Sequence, residues 1–282
     1  MEVTKVSFKK INIIILFSIL SLMLLIGSIN IFAAEISILD QVIKRGEINV
    51  GMILTLPPIA SRDDKGNPVG FEPDIAQLLA DTLGVKLTIV ELTGPTRVPA
   101  VAAGKVDIAI ADFTRTLKRA ETIAFSEVPY MNIGVTFLLP KDSKYNTYED
   151  LKAAGDSLTI GISRGGTSEQ SIPMLLPEAV IKRFSEHSDE FLALQSGTVD
   201  VVSEDSIFVA LQVKMHPELY KGTGGVFTRE AICAGVAADD MKWFNWVNLF
   251  FHELNASGKT RELYIKWFGS EPPKIPSWIA GE

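Results

Sequence analysis

The stretch "AAGKVDIAIAD" (residues 102–112) and the later stretch "QSGTVDVVSED" (residues 195–205) follow one pattern. In each, a glycine precedes an aspartate by three residues, and an apolar run follows that ends in a second aspartate. Apolar runs of this length between polar residues are typical of buried strands. A pattern that recurs in the second half of the chain predicts two similar structural units.

The segments around the two stretches alternate between strand-like and helix-like patterns. Before the first lie "GEINVGMIL" (strand), "PDIAQLLADTLGV" (helix), "KLTIVEL" (strand) and "TRVPAVAAGK" (short helix). After Asp142 the same order restarts with "YEDLKAAG", "SLTIGIS", "TSEQSIPMLL", "VIKRFS" and "SDEFLALQSG". Strands separated by helices predict βαβ units, so we expect an α/β protein with two similar lobes and mostly parallel sheets. Next come "AICAGVAAD", which predicts a return strand, and two helical segments, "MKWFNWVNLFFHELNASG" and "TRELYIKWFG".

Residues 1–34 have the pattern of a targeting segment. Three lysines precede the apolar run "INIIILFSILSLMLLIG", and Ala33 and Ala34 follow it. This order is typical of a secretory signal peptide. The run is also long enough to cross a bilayer, so a retained N-terminal anchor that faces the periplasm is the alternative. Both interpretations predict a periplasmic protein.

Charge and cysteine content narrow the function classes. Residues 1–34 carry a net charge of +2, so the formal charge of the remainder falls from −7 to −9. Nucleic-acid binding rests on basic patches, so an acidic exported domain is not expected to bind nucleic acid. Cys233 is the single cysteine, so no intramolecular disulfide can form and the fold depends on its core.

Five segments in order carry a resemblance to a known family. They are "VGFEPDIAQLLADTLGV", "RVPAVAAGKVDIAIADFTRTLKRAETIAFSEVPY", "IGISRGGTSEQ", "LQSGTVDVVSEDS" and "NASGKTRELYIKWFG". From about Ile38 to Gly269 the chain resembles the periplasmic solute-binding proteins of polar amino-acid ABC transporters. The resemblance implies the type II periplasmic binding fold, in which two α/β lobes are joined by two crossover strands and the ligand lies in the cleft between them.

The resemblance also implies boundaries and partners. Lobe 1 is expected to span residues 35–135, lobe 2 residues 136–230, and residues 231–282 return to lobe 1 and form the C-terminal helices. The crossovers are expected around Ile133–Leu139 and Val226–Val236. The implied ligand is an amino acid or a similar small zwitterion, and the implied partner is the membrane permease of an ABC importer. A monomer without a cofactor is expected.

The stretch "ADFTRTLKRAETIAFSEVPY" (residues 111–130) supplies the predicted site of lobe 1. In open α/β sheets, ligands bind outside the carboxyl ends of the strands, where "VDIAIA" places Asp112 and Thr114. An arginine fork gives a carboxylate two parallel N–H bonds. The resemblance implies that Arg119 binds the ligand's α-carboxylate, that Thr114 donates its hydroxyl and N–H, and that the carbonyl of Asp112 accepts from the α-ammonium. A solvated charge at a helix start is the alternative for Arg119.

The stretch "SRGGTSEQ" (residues 163–170) supplies the predicted site of lobe 2. Glycines let a backbone approach a ligand closely, and a helix start offers free N–H groups to anions. The resemblance implies that Thr167 binds the carboxylate, that Gly165 lines the same turn and that Asp205 receives the α-ammonium. The family usually has a threonine where this chain has Gly166. A helix cap is the alternative for the loop, and a turn or cap role is the alternative for Asp205.

Departures from the family pattern bear on the ligand. Where many relatives have an acidic and an aromatic residue after the first strand, this chain has Ile53 and Leu56, and "TGPTR" stands where another aromatic is frequent. The loss of stacking faces argues against aromatic or long cationic ligands. Arg97 is expected either to reach a side-chain carboxylate of the ligand or to pair with Glu91.

The sequence offers little support for catalysis. The three histidines lack metal-ligand spacing, and no Gly-x-Ser-x-Gly elbow or P-loop is present, so we expect a binding protein without a metal. One alternative is a cyclohexadienyl or arogenate dehydratase on the same fold, with Glu204 or Glu169 as general acid. The other is a membrane-tethered amino-acid binding domain.

Overall fold

The computed structural model describes residues 36–273, and the predicted targeting segment lies outside them. The strands of this region are β1 Glu47–Met52, β2 Ser61–Arg62, β3 Pro68–Val69, β4 Lys86–Glu91, β5 Ile108–Ala109, β6 Ala124–Phe125, β7 Met131–Ile133, β8 Val135–Pro140, β9 Thr159–Ser163, β10 Val180–Phe184, β11 Val201–Asp205, β12 Tyr220–Gly222, β13 Glu230–Ile232 and β14 Gly235–Val236. The α-helices are α1 Ile38–Arg45, α2 Phe71–Leu83, α3 Arg97–Ala102, α4 Leu117–Ala120, α5 Tyr148–Ala154, α6 Ser168–Leu175, α7 His187–Gln195, α8 Ser206–Met215, α9 Met241–Ala256 and α10 Lys259–Phe268. Short 3-10 helices lie at Gly94–Thr96 and Gly155–Ser157.

Two five-stranded sheets have the same plan. Sheet 1 has the order β4-β1-β5-β14-β6, and sheet 2 has the order β10-β9-β11-β8-β12. In each sheet the first three strands are parallel, and the last two pairings are antiparallel. The prediction of two similar α/β lobes with mostly parallel sheets is therefore confirmed, because four of the five strands in each sheet run in one direction. Only β14 in sheet 1 and β8 in sheet 2 run against the others.

The antiparallel strands come from the exchange of chain between the lobes. Sheet 2 takes β8, which follows directly after the lobe 1 segments, and sheet 1 takes β14, which follows the lobe 2 segments. Between the sheets, β7 and β13 pair antiparallel, with Asn132 opposite Ala231. These two strands cross between the lobes. The predicted residue boundaries of the lobes stay a prediction.

The recurring aspartates hold equivalent positions in the two sheets. Asp107 Oδ2 accepts from the backbone N–H of Asn49 at 2.7 Å, and Asp200 Oδ2 accepts from the backbone N–H of Thr159 at 2.8 Å. In both cases the aspartate lies just before its own strand and satisfies an N–H of the neighbouring strand at the point where pairing of the two strands begins. The pattern in the sequence thus reflects a repeated structural task.

Capping residues set the ends of the helices, and apolar side chains form the core. α2 ends at Gly84, whose φ of 67° is the left-handed conformation that favours glycine at a helix end. Asp240 caps the start of α9, because its side chain accepts from the N–H of Trp243 at 2.9 Å. The largest core cluster packs around sheet 1 and contains Phe71, Trp243 and Phe251, and two smaller clusters cover sheet 2.

The aromatic residues of the last two helices belong to the core of lobe 1. Trp243, Phe250 and Phe251 are buried, while Phe244, Trp246 and Trp267 are partly buried and pack against the same cluster.

Among residues 36–273, none of the helices combines the length and the hydropathy that a membrane crossing requires.

Candidate functional site

A small polar cavity of about 40 Å³ lies between the carboxyl ends of the two sheets. Its side chains are charged or polar, and glycines complete the wall. The lining residues are Gly94, Arg97, Asp112, Thr114 and Arg119 from lobe 1 and Ser163, Arg164, Gly166, Thr167, Ser168, Ser185, His187, Ser203, Glu204 and Asp205 from lobe 2. Both lobes therefore contribute to one site, as the rule for strand carboxyl ends predicts.

Asp112 and Asp205, which occupy equivalent places in the recurring pattern, both line the cavity. Asp112 follows β5 with a φ of 47°, a left-handed conformation that aspartate tolerates better than most residues. Burial, followed by the facing carboxylate of Asp112, raises the pKa of Asp205 well above its usual range. Two carboxylates that face each other favour a cation between them, because a positive charge allows both to ionise.

Arg119 enters the cavity from the first turn of α4. Its guanidinium donates two hydrogen bonds to protein, one to the carbonyl of Thr114 and one to the carbonyl of Gly165 at 2.8 Å. Burial, followed by the charge of Arg97, lowers the pKa of Arg119 to about 10, so it stays cationic at neutral pH. A guanidinium carries more N–H donors than these two bonds use, so Arg119 can still bind an anion.

Arg97 lies beside Arg119 but is engaged differently. It is 4% exposed and donates four hydrogen bonds, to the carbonyls of Gly94, Ala111, Asp112 and Gly165, at 2.6 to 3.2 Å. The expected pairing with Glu91 is not formed, since Glu91 bonds to Arg62 at 2.6 Å. Arg97 therefore organises the walls of the cavity by joining lobe 1 to the carbonyl of Gly165.

Both arginines rest on one aromatic ring. The guanidinium carbon of Arg97 lies 4.9 Å from the centroid of the Phe113 ring, and that of Arg119 lies 5.0 Å from it. Phe113 is fully buried beneath them. Contact with the ring face stabilises cations whose water has been removed.

The threonines of the two predicted binding stretches meet at a glutamate. Thr114 Oγ1 and Thr167 Oγ1 each donate to Glu230 Oε2 at 2.8 Å, and Thr228 Oγ1 donates to Glu230 Oε1 at 2.8 Å. Glu230 begins β13, one of the two crossing strands, and is 8% exposed. The two threonines that were predicted to bind a ligand thus bind a carboxylate of the protein.

The loop between β9 and α6 touches lobe 1 through its backbone. Gly165, with a φ of 71°, accepts from both arginines and donates its N–H to Glu169 Oε2 at 2.8 Å. A Cβ atom at Gly165 would lie 2.7 Å from the carbonyl carbon of Gly94. Glycine is required here because the two backbones approach too closely for a side chain.

A hydrogen-bonded network forms the lobe 2 wall. His187 Nδ1 lies 2.6 Å from Glu204 Oε1 and 3.2 Å from Ser163 Oγ, which donates to Glu190 Oε2 at 2.6 Å. Burial alone would lower the pKa of His187, but the adjacent carboxylate of Glu204 outweighs it and raises that pKa. Burial and the charge of Glu204 raise the pKa of Glu190 well above its usual range, which favours its neutral form.

The same network is the one metal-compatible group in the described part of the chain. His187, Glu190 and Glu204 offer ligand atoms within 4.8 Å of one another, although the spacing of the histidines in the sequence predicts no such group. The short contacts among these atoms are those of hydrogen bonds, so we interpret the group as a hydrogen-bond network.

Glu72 forms a second layer beneath the cavity. Its Oε1 accepts from the N–H of Asp112 at 2.6 Å and from Tyr130 Oη at 2.6 Å, and the residue is fully buried. Burial, followed by the charge of Asp112, raises the pKa of Glu72 to about 8. The neutral acid therefore predominates at neutral pH and supports the strained backbone of Asp112.

The structure brings most of the predicted residues to the cavity and adds others. The cavity is lined by Asp112, Thr114, Arg119, Thr167 and Asp205. The carbonyl of Gly165 accepts hydrogen bonds from both arginines. Their roles toward a ligand stay predictions.

Sequence reasoning missed Glu72, His187, Glu190 and Glu230. For two of them a signal existed: Glu230 falls within the expected second crossover, and His187 follows β10 at the carboxyl edge of sheet 2.

Comparison with known proteins gives consistent matches. The family model of the bacterial extracellular solute-binding proteins, family 3, matches residues 48–270. A glutamine-binding protein of Geobacillus stearothermophilus is 30% identical over 211 residues, which cover 73% of this chain and 79% of that protein. A cyclohexadienyl dehydratase of Pseudomonas aeruginosa is 30% identical over 250 residues, covering 88% of this chain and 92% of that protein. The crystal structure of a mutant of ArgBP from T. maritima superposes with a TM-score of 0.76 and 32% identity, covering 83% of this chain and 100% of that one.

Proposed function

The chain belongs to the bacterial extracellular solute-binding proteins, family 3, and from this premise we propose that it captures a polar amino acid or similar small zwitterion for an ABC importer. The observation that carries the proposal is the charge arrangement of the cavity. Arg119 offers donors to a carboxylate, and Asp112 and Asp205 offer acceptors to an ammonium. A zwitterion complements both ends at once, and its two charges would be paired in the desolvated cleft.

The lining also restricts the chemistry of the ligand's side chain. Charged and polar side chains surround the cavity, and the network of His187 and Glu204 forms one wall. An apolar or aromatic side chain placed here would remove water from these groups without replacing their hydrogen bonds. We therefore propose a small, polar side chain that carries hydrogen-bond donors.

A dehydratase is the second candidate, because a cyclohexadienyl dehydratase is among the similar proteins. Glu204 favours it, since this buried acid lines the cavity next to His187. Glu169 does not favour it, because its carboxylate bonds to the N–H of Gly165 and contacts Arg183 at 3.3 Å. Binding without turnover remains the proposed function, since the arrangement of Arg119, Asp112 and Asp205 suits capture of both charged ends of a zwitterion.

The remaining parts of the proposal concern location and partners. We propose that residues 1–34 direct export to the periplasm, that the mature protein is a monomer and that it meets a membrane permease without binding nucleic acid. Mass spectrometry of the exported protein tests the first part. An intact N-terminus that fractionates with membranes would favour the tethered alternative.

A thermal-shift screen of the mature protein against the twenty common amino acids tests the function. A ligand that binds the native state raises the melting temperature, so one or a few polar amino acids are expected to do so. Incubation with prephenate and with arogenate separates the two candidates. Conversion of either compound by the purified protein would overturn the binding proposal, and a screen without any shift would count against it.

A further inference from the structure

Glu230 contacts both halves of the candidate site from the crossing strand β13. Its Oε2 accepts from Thr114 Oγ1, in lobe 1, and from Thr167 Oγ1, in lobe 2, each at 2.8 Å. Its Oε1 accepts from Thr228 Oγ1 at 2.8 Å. A single buried carboxylate therefore joins the two lobes at the position where the two predicted binding stretches meet.

The chemistry of a hydroxyl makes this contact exclusive. Each threonine has one hydroxyl proton to donate, and Thr114 and Thr167 both donate theirs to Glu230. A second carboxylate cannot receive the same protons at the same time. It would also meet the like charge of Glu230 at close range, which is unfavourable away from water.

We propose that Glu230 is an internal substitute for the carboxylate of the ligand: it bridges Thr114 and Thr167 in the ligand-free closed state, and the ligand must take these donors from it. The inference rests on the proposed function, because it assumes that a carboxylate binds at these threonines. Glu230 thereby sets the affinity for carboxylate-bearing ligands and holds part of the ligand-free population closed.

If Glu230 competes with the ligand's carboxylate for the two threonines, its removal has two consequences. Removal of Glu230 frees both hydroxyls for a ligand carboxylate, so affinity for an amino acid rises. It also removes the bridge between the lobes, so the ligand-free protein opens more often and presents a larger binding-competent fraction. Both effects strengthen binding of an amino acid. An amine without a carboxylate benefits only from the larger binding-competent fraction, so its affinity rises less.

The test compares the full chain with Glu230→Ala and Glu230→Gln by calorimetry, with L-glutamine and 4-aminobutanamide, the decarboxylated analogue of glutamine, as probes. We expect Glu230→Ala to bind L-glutamine about tenfold or more tightly than the unaltered protein, with a smaller gain for 4-aminobutanamide. Glu230→Gln keeps the shape and an acceptor oxygen but removes the charge, so an intermediate gain is expected. Glu121→Gln, which alters an exposed partner of Lys118, is the matched control and should change nothing.

Unchanged or weaker binding of the amino acid by both Glu230 variants would overturn the proposal and would make Glu230 a residue that positions the threonines. Small-angle scattering of the ligand-free proteins gives a readout that needs no ligand. A larger radius of gyration for Glu230→Ala supports the bridge, and an identical radius contradicts it. If no probe binds the unaltered protein, that result counts against the proposed function, while scattering still decides the role of Glu230. Glu230→Gln serves both measurements if the alanine variant does not fold.

Discussion

Arg97 and Arg119 are neighbours in the cavity wall but have different structural roles. Arg97 donates four hydrogen bonds to backbone carbonyls and is almost fully buried, whereas Arg119 donates two and keeps further donors. Both rest on Phe113. The residue type alone could not separate these roles, because the difference lies in which carbonyls the fold brings within reach.

Replacement of Arg119 tests its predicted role toward a carboxylate. Arg119→Ala leaves the ligand's carboxylate without its charged donor in a desolvated cleft, so we expect a loss of about 2–5 kcal/mol of binding free energy. Arg119→Lys should recover part of this loss, since an ammonium keeps the charge but lacks the planar fork. Calorimetry with the amino acid that the thermal-shift screen identifies measures each change.

Arg115→Ala is the control for Arg119. Arg115 donates to the carbonyl of Glu127 at 3.0 Å on the exposed surface, so its loss should leave affinity unchanged. Equal affinities for Arg119→Ala and the unaltered protein would remove Arg119 from the site.

Glu72 gives the protein a pH-dependent stability. Its pKa is raised from 4.5 to about 8 in the folded state, so the folded protein holds this proton more tightly than the unfolded chain. The stabilisation is complete below about pH 4.5 and is lost as the pH rises through about 8. Glu72→Gln resembles the neutral acid at every pH, so the variant should gain stability relative to the unaltered protein between pH 5 and pH 9, by a few kcal/mol at roughly 1.4 kcal/mol per pKa unit.

Urea denaturation across this pH range measures the difference between the two proteins. The exposed carboxylate variant Glu121→Gln is the control and should follow the unaltered protein. A constant difference between Glu72→Gln and the unaltered protein at all pH values would show that Glu72 does not titrate in this range.

The loop after β9 and the 3-10 helix at Gly94–Thr96 meet backbone to backbone across the cleft. A Cβ atom at Gly94 would lie 2.2 Å from the carbonyl oxygen of Arg164, far inside contact distance. Gly94→Ala should therefore block full closure and weaken ligand binding by about tenfold or more, which is about 1.4 kcal/mol. The melting temperature of the ligand-free protein should change little, because the contact forms between the lobes and not within one of them.

Gly222→Ala is the matched control for this contact. Its added Cβ would meet its nearest neighbour, the carbonyl oxygen of Phe137, at an ordinary 3.5 Å. Calorimetry measures the ligand affinity of both variants. Normal affinity in Gly94→Ala would show that this backbone contact is not needed for binding.

Among the helices and strands, those with a clear local periodicity were predicted correctly from the sequence. The strands around Val50, Ile160 and Val202 and the helices that follow them lie where periodicity placed them. The segments of β8 and β14 were predicted as crossover and return strands, but their antiparallel direction was not, because it depends on which sheet the chain joins after each crossing. The short strands β6 and β12 were missed because they contain too few residues to show a period.

For the molecule as a whole, the recurring pattern was sufficient to predict two similar lobes, and the resemblance to the family implied the ligand cleft between them. The contacts of Glu230 and the network around His187 were not predictable, since they join side chains that are distant in the sequence and approach only when both lobes are in place. Long-range polar contacts of this kind leave no periodic trace in a single sequence.

Closure of the two lobes is the expected response to a ligand. Neither lobe surrounds the cavity alone, because Asp112 and Arg119 come from lobe 1 and Thr167 and Asp205 from lobe 2. A ligand that contacts both lobes stabilises the closed state, with β7 and β13 as the hinge. Small-angle scattering should show a smaller radius of gyration with the ligand than without it, and an unchanged radius would argue against hinge closure.

A calorimetric titration of the mature protein with the amino acid selected by the thermal-shift screen tests whether the cleft binds an amino acid without altering it. We expect a single site per chain and a ligand that is recovered chemically unchanged after release. No saturable binding of that amino acid at any temperature tested, or recovery of a chemically altered compound, would contradict this expectation.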